Sequence, residues 1–184
     1  LATTGPGTAL GVIKAANKKN KGLQVFATET RPLLQGSRLT VWECEQDNVD
    51  CTLLTDSMAS HIIREKKINF AIVGADRIAV NGDVANKLGT YQLAIACKYH
   101  KIPFFVAAPL STFDFECPEG KMIEIEERPY EEILKINGKI VSKASKLVNP
   151  AFDVTPNKLI SGIITEKGII MNPNKKKIIK FKDY

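Results

Sequence analysis

The sequence predicts an α/β protein, a doubly wound and mainly parallel sheet with helices on both faces, and three features of its 184 residues predict it. Short, continuously apolar runs rich in β-branched and aromatic residues recur along the chain, amphipathic segments of helical length separate them, and polar groups gather just after each run. Apolar strands alternating with helices imply a parallel sheet covered on both sides, the Rossmann-like architecture.

Four runs read as buried strands: Leu23–Ala27, Thr52–Leu54, Phe70–Val73 and Phe104–Ala107. Four segments read as helices. Gly7–Lys18 carries Ala9, Leu10, Val12, Ile13 and Ala16 on one apolar stripe; Ser37–Glu45 and Met58–Glu65 follow; Lys87–Tyr99 carries Leu88, Tyr91, Ala94, Ile95 and Lys98 at three-to-four spacing. Between Ser111 and Asn149 turn residues interrupt the pattern around one short strand, Met122–Glu126, whose Glu124, Glu126 and Glu127 read as the wet face of an edge strand. The last unit, Asn149–Ile170, contains Thr155-Pro156, which matches an N-cap followed by proline in the first helical turn. The expected organisation is one domain over residues 1–173 and a basic tail over 174–184.

Composition narrows the function. Hydrophobic residues make up 44% and charged residues 25%, the proportions of a folded globular protein. No apolar run approaches the roughly 20 residues of a membrane span, and no basic-then-apolar leader opens the chain, so no membrane partner is expected. The chain starts at Leu1 inside a glycine-rich loop and reads as a piece of something longer. Its net charge of +6 is concentrated in the tail, where Lys175, Lys176, Lys177, Lys180 and Lys182 face only Asp183; a solvated tail without interleaved aromatics argues against nucleic acid. Cys44, Cys51, Cys97 and Cys117 lack metal-ligand spacing and the histidines, His61 and His100, lie far apart, so no metal is expected. The first three cysteines read as buried reduced thiols, as in a cytoplasmic protein, and Cys117, in an irregular stretch before Pro118, as one that could be exposed.

Chemistry in an open parallel sheet belongs beyond the carboxyl ends of the strands. Here those loops begin at Thr28, Thr55, Gly74 and Ala108, and the third is the most informative. Asp76 follows a buried strand directly, where desolvation would raise its pKa toward a useful range for proton transfer. A turn cap or an ion pair with Arg77 is the alternative. Asn86 and Lys87 stand where the next helix is expected to begin, so an amide, an ammonium and free backbone N–H groups could hold a phosphate; a solvated first turn is the alternative. Gln35 closes the first loop and could donate to a sugar hydroxyl, or be a surface amide. The opening Thr3-Thr4-Gly5-Pro6-Gly7-Thr8 has Leu10 in place of the third glycine of the dinucleotide fingerprint and no following P-loop lysine, so no nucleotide cofactor is expected.

These loops resemble a known family. ETRPLLQGSRLT (Glu29–Thr40), GADRIAVNGDVANKLGTYQLA (Gly74–Ala94), IPFFVAAPLSTFD (Ile102–Asp114), IEERP (Ile125–Pro129), NPAFDVTP (Asn149–Pro156) and the opening ATTGPGTALGVIKAA closely resemble the methylthioribose-1-phosphate isomerases, aldose-ketose isomerases of methionine salvage. The resemblance implies that Asp76 is the catalytic proton donor, that Gln35, Asn86 and Lys87 bind the substrate, and that a partner cysteine lies in an HCN-type motif ahead of Leu1. It implies no cofactor, a sugar phosphate substrate, a homodimer and a cytoplasmic, or in a eukaryote also nuclear, location. It further implies an N-terminal domain of the same protein that supplies arginines for the phosphate. None of the four cysteines matches the family motif, and Pro6 stands where the family more often has tyrosine. Ribose-1,5-bisphosphate isomerases and the regulatory subunits of the initiation-factor exchange complex are the related alternatives.

Overall fold

The computed structural model describes residues 7–20 and 22–182; the opening loop from Thr3 to Pro6 and Asp183 of the tail lie outside them. Helix α1 (Ala9–Lys19) leads to strand β1 (Gln24–Thr28), and a π-helical turn (Gly36–Thr40) runs into α2 (Val41–Gln46). Strand β2 (Asp50–Leu54), α3 (Ala59–Glu65) and β3 (Ala71–Val73) follow. A hairpin of β4 (Arg77–Ala79) and β5 (Val84–Lys87) precedes α4 (Thr90–Tyr99), β6 (Phe104–Ala107) and the short β7 (Phe113–Asp114). Beyond α5 (Glu131–Leu134), β8 (Lys135–Ile136) and β9 (Lys139–Ile140) come β10 (Phe152–Thr155), β11 (Gly162–Thr165), β12 (Gly168–Met171) and α6 (Lys175–Ile179).

The mixed α/β class with parallel strands is the one expected. Strands β3, β6 and β11 pair in parallel, with β12 antiparallel on the outer edge, and β1 pairs in parallel with β2 in a separate ladder. A further sheet, ordered β10-β5-β4-β7, is mostly antiparallel and is built from segments that read as loops in the sequence. The core is one buried cluster in which Phe104, Val106, Ile163 and Ile170 of the β12-β11-β6-β3 sheet join Ile63 of α3, Ala94 and Cys97 of α4, and Ile78 and Val84 of the β4–β5 hairpin. Each of the Phe, Ile and Val side chains among them contributes roughly 1.5–3 kcal/mol relative to exposure.

Five local expectations are corrected. The helix expected from Lys87 begins at Thr90, because residues 84–87 pair with both β4 and β10. Its buried face is also different: Thr90, Ala94 and Cys97 approach the core, where small side chains fit closely, while Leu88, Tyr91 and Ile95 are exposed. Residues 122–126 form no strand. Gly120–Met122 is a single 3₁₀ turn, although Ile123 is buried and Glu124, Glu126 and Glu127 face solvent as the alternation requires. Thr155-Pro156 ends β10 rather than opening a helix, because the preceding residues complete the ladder with β5; only a 3₁₀ turn, Asn157–Leu159, follows. Cys117 is buried, its thiol donating to the carbonyl of Glu119 at 3.4 Å.

The basic tail is not wholly solvated. Asn174 Oδ1 caps α6 by accepting from the backbone N–H of Lys177 at 3.1 Å, and Ile178, fully buried, enters the same core as Phe104 and Val106. Ile178 thus docks the helix while Lys175, Lys176 and Lys177 remain exposed.

Candidate active site

Strand β3 stops at Val73, and after Gly74 and Ala75 the chain joins the second sheet. Asp76 sits at that junction. Its backbone N–H donates to the carbonyl of Ala85 at 2.9 Å, continuing the β4–β5 ladder in which Arg77 pairs with Ala85. Asp76 and Arg77 thus both stand against Ala85, two residues opposing one as in a β-bulge, so the regular register stops short of Asn86 and the Asp76 side chain is re-aimed at the strand's start. The expected desolvation of Asp76 is corrected: the residue is exposed, because it lies on the rim between two sheets rather than at the floor of one. The alternative ion pair with Arg77 is absent too. Arg77 Nη1 reaches Asp114 Oδ2 at 3.4 Å instead, and among the described residues the Asp76 carboxylate has no hydrogen-bond or ion-pair partner. It opens onto a groove of about 570 Å³ whose lining includes Arg77, Ser111, Thr112, Asp114 and Lys182, so the loops after β3 and β6 do meet. The start of α1 joins them: a Cβ built on Gly74 would lie 3.4 Å from Thr8 Oγ1.

Asn86 and Lys87 end a strand instead of starting a helix. Successive strand residues leave on opposite sides. Asn86 Nδ2 donates to Thr90 Oγ1 at 2.9 Å, and that hydroxyl donates to the carbonyl of Lys87 at 2.7 Å, tying the strand end to the first turn of α4. Lys87 is half-buried. Burial pulls its ammonium below the usual lysine range, Glu132 and Glu126 offset part of that, and Arg128 adds to it. The free helix N-terminus expected here is occupied: Asp153, opposite Asn86 in the β10–β5 register, accepts from Gly89 N–H at 2.7 Å and Tyr91 N–H at 3.0 Å. Burial raises the Asp153 carboxyl above its ordinary range, and the two N–H donors partly counter it. An internal carboxylate therefore fills the anion seat of α4.

Gln35 belongs to the loop after β1. Asp56, just past β2, braces that loop by accepting from Thr30 N–H at 2.9 Å and Arg31 N–H at 2.7 Å, while the carbonyl of Glu29 receives Gly36 N–H at 3.1 Å. No side chain fits at position 36, where a Cβ would stand 1.8 Å from the carbonyl oxygen of Thr28. Held this way, Gln35 presents a buried Oε1 that has no hydrogen-bond partner among the described residues. Leaving such an acceptor unpaired costs about 1–3 kcal/mol, which a donor hydroxyl would recover. The expected direction is thus reversed: the unsatisfied atom accepts.

Asp76 adjoins the hairpin strand β5 that ends in Asn86 and Lys87, whose side chains leave it on opposite sides, and Gln35 stands in the loop after β1, outside that sheet. Asp153, Arg128, Glu132 and Asn149 were missed as contributors. All lie in IEERP, NPAFDVTP or the segment between them, and only long-range pairing reveals their place. Among the described residues no group of three or more His, Cys, Asp or Glu side chains could hold a metal ion. Burial pushes the Cys44 and Cys97 thiols up to about 12, leaving them protonated and poor nucleophiles.

Comparison with known proteins adds a lineage to this geometry. Residues 1–172 match the model of the Initiation factor 2 subunit family. The chain is 57% identical over 183 residues to a protein named methylthioribose-1-phosphate isomerase from Acetivibrio thermocellus, covering 99% of this chain and 54% of that protein. It is 58% identical over 174 residues to a protein of the same name from Syntrophomonas wolfei, covering 94% and 50%. The crystal structure of 5-methylthioribose 1-phosphate isomerase from Pyrococcus horikoshii superposes with a TM-score of 0.91 at 43% identity, covering 95% of this chain and 49% of that one. The crystal structure of a protein named translation initiation factor eIF-2B, subunit delta, from A. fulgidus gives a TM-score of 0.90 at 46% identity, covering 98% and 54%. The chain spans about half the length of the curated relatives it matches.

Proposed function

The chain belongs to the Initiation factor 2 subunit family, and from that membership and the rim geometry we propose that it forms the catalytic half of an aldose-ketose isomerase converting 5-methylthioribose 1-phosphate to 5-methylthioribulose 1-phosphate, a step of methionine salvage. The observation that carries the reading is the Asp76 carboxylate, unpartnered among the described residues and tied through its backbone N–H to β5, the strand that ends in Asn86 and Lys87.

The anomeric oxygen of this substrate bears phosphate, so its ring cannot open as a free sugar does. Asp76, protonated, gives its proton to the ring oxygen as the bond from C1 to that oxygen breaks. Hydrogen then passes from C2 to C1. In one route a base takes the C2 proton, leaving a C1–C2 enol that is protonated at C1 as C2 becomes the ketone. In the other, hydride moves directly and the C2 hydroxyl loses its proton. Either way the carbon oxidised and the carbon reduced are in one molecule, so the reaction needs no redox cofactor. The base of the first route is the cysteine that the family resemblance sets ahead of Leu1. Gln35 accepts from a substrate hydroxyl and Lys87 holds the phosphate, while Asn86, which leaves β5 on the other side and donates to Thr90 Oγ1, supports the strand end from which Lys87 projects.

An exposed acid is poorly suited to this step, and water exclusion would favour it. The reading therefore assigns the covering of Asp76 to an N-terminal domain of the same protein, and it carries a homodimer and a cytoplasmic setting with it. Assays of the full-length protein with 5-methylthioribose 1-phosphate and ribose 1,5-bisphosphate test the reading: turnover of the first supports it, and turnover of the second alone transfers the chemistry to a substrate with a second phosphate. A binding role in the initiation-factor exchange complex is favoured by the likeness to the A. fulgidus protein, which is named as an initiation-factor subunit. Co-purification with exchange-factor subunits and turnover of neither sugar would establish that role instead.

A further inference from the structure

Lys87 ends β5 half-buried, and burial alone favours the neutral amine. What acts on its charge comes from a segment with no role so far. Residues 126–128 run antiparallel to 149–151: Ala151 N–H donates to Glu126 O at 2.8 Å, Arg128 N–H to Asn149 O at 2.8 Å, and Glu127 bridges Pro150. Leu88 N–H reaches Ala151 O at 3.4 Å, so this ladder lies beside the end of β5.

Helix α5 presents Glu132 to the ladder. Arg128 grips one carboxylate oxygen, Oε1, through Nε at 3.1 Å and Nη2 at 2.7 Å. Asn149, 1% exposed, donates Nδ2 to the other, Oε2, at 3.2 Å and to the carbonyl of Pro129 at 2.9 Å. Both oxygens are therefore held, and only 13% of the Glu132 side chain is exposed. Among the described residues Glu132 makes no direct ion pair with Lys87; it acts on the ammonium through space from beside the end of β5, Arg128 opposes the ammonium's charge, and Glu126, itself paired with Arg128 at 3.1 Å, supports it. Asp153, on the neighbouring strand, is committed to the cap of α4.

We propose that Glu132 is a positioning residue for Lys87, a carboxylate fixed by Arg128 and Asn149 that supplies the counter-charge holding the ammonium at the end of β5. The proposal rests on the reading of Lys87 as the cation for the substrate phosphate. Its logic is that a half-buried ammonium beside a guanidinium needs a fixed anion to stay charged, whereas an arginine in its place would not, since guanidinium keeps its proton at any working pH.

The test uses full-length protein labelled with ¹³C at lysine Cε, the Lys87 signal being assigned by its loss in Lys87→Arg, together with KM for 5-methylthioribose 1-phosphate from about pH 6 to 10. Glu132→Gln should move the Lys87 titration and the alkaline rise in KM together to lower pH, about tenfold in KM at a fixed alkaline pH for each unit moved. At the acid end, where Lys87 is charged in both proteins, kcat should stay near wild type. In the Lys87→Arg background the same substitution should no longer shift the limb. A Glu132→Gln protein that melts earlier but titrates at the wild-type position makes Glu132 merely structural and overturns the proposal. If Glu132→Gln does not fold, Glu132→Asp, which keeps the charge one methylene further back, must show a smaller shift in the same direction; an unmoved titration there also overturns it. The underlying reading fails by a different result, an unchanged KM in Lys87→Ala.

Discussion

The backbone N–H of Asp76 donates to the carbonyl of Ala85 at 2.9 Å, and this one bond carries the acid from the end of a parallel strand into an antiparallel ladder. It thereby sets Asp76, together with Arg77, against Ala85 instead of over the end of β3. A backbone pairing of this kind decides where each functional side chain points, and the expected effects of substitution depend on it.

Asp76→Asn in the full-length protein should lower kcat by about 10²–10⁴-fold, the usual contribution of a positioned acid. The carboxylate is exposed and unpartnered among the described residues, so stability should change by no more than about 0.5 kcal/mol. Steady-state kinetics beside a thermal melt reads both; turnover near the wild-type level removes Asp76 from the chemistry.

Asp153→Ala removes the cap of α4 and should destabilise by about 1–2 kcal/mol. The wild-type carboxyl titrates above its unfolded value because it is buried. It therefore contributes most stability below the unfolded pKa and loses that contribution as pH rises through the folded one. Since Asn does not titrate, the stability advantage of wild type over Asp153→Asn should widen as pH falls from neutral toward the ordinary carboxylate range. Urea unfolding at several pH values measures it, and a gap that narrows on acidification contradicts the assignment.

Gly36→Ala introduces a carbon into the space of the Thr28 carbonyl oxygen. Backbone must move, and overpacking of this kind costs about 1–3 kcal/mol. Because Gln35 precedes it, substrate affinity should fall as well, visible as a higher KM in protein that still melts cooperatively.

Ile178→Ala should cost about 2–5 kcal/mol if α6 is docked as described, whereas Lys175→Ala, on the exposed side, should be silent within about 0.5 kcal/mol. Differential scanning calorimetry of both variants distinguishes a packed helix from a loose tail: equal, negligible shifts would mean the tail is loose.

The local alphabet of the chain was enough for much of this. Runs such as Phe104–Ala107 are apolar throughout because both faces are covered, and that pattern is written in neighbouring residues, as are the helices ending at Lys19 and Glu65. The position of Asp76 after the third strand was legible in the same way. What could not be read was whatever depended on distant partners. Residues 84–87 became a strand because residues 152–155 came to lie beside them, and the N-terminus of α4 was filled by a carboxylate 64 residues away from Gly89. Strands of three or four residues paired over such separations leave no periodic trace, and a side chain's exposure is set by what packs above it. Residue identity thus determined which groups could do chemistry, while tertiary pairing decided which of them face one another and which are already taken.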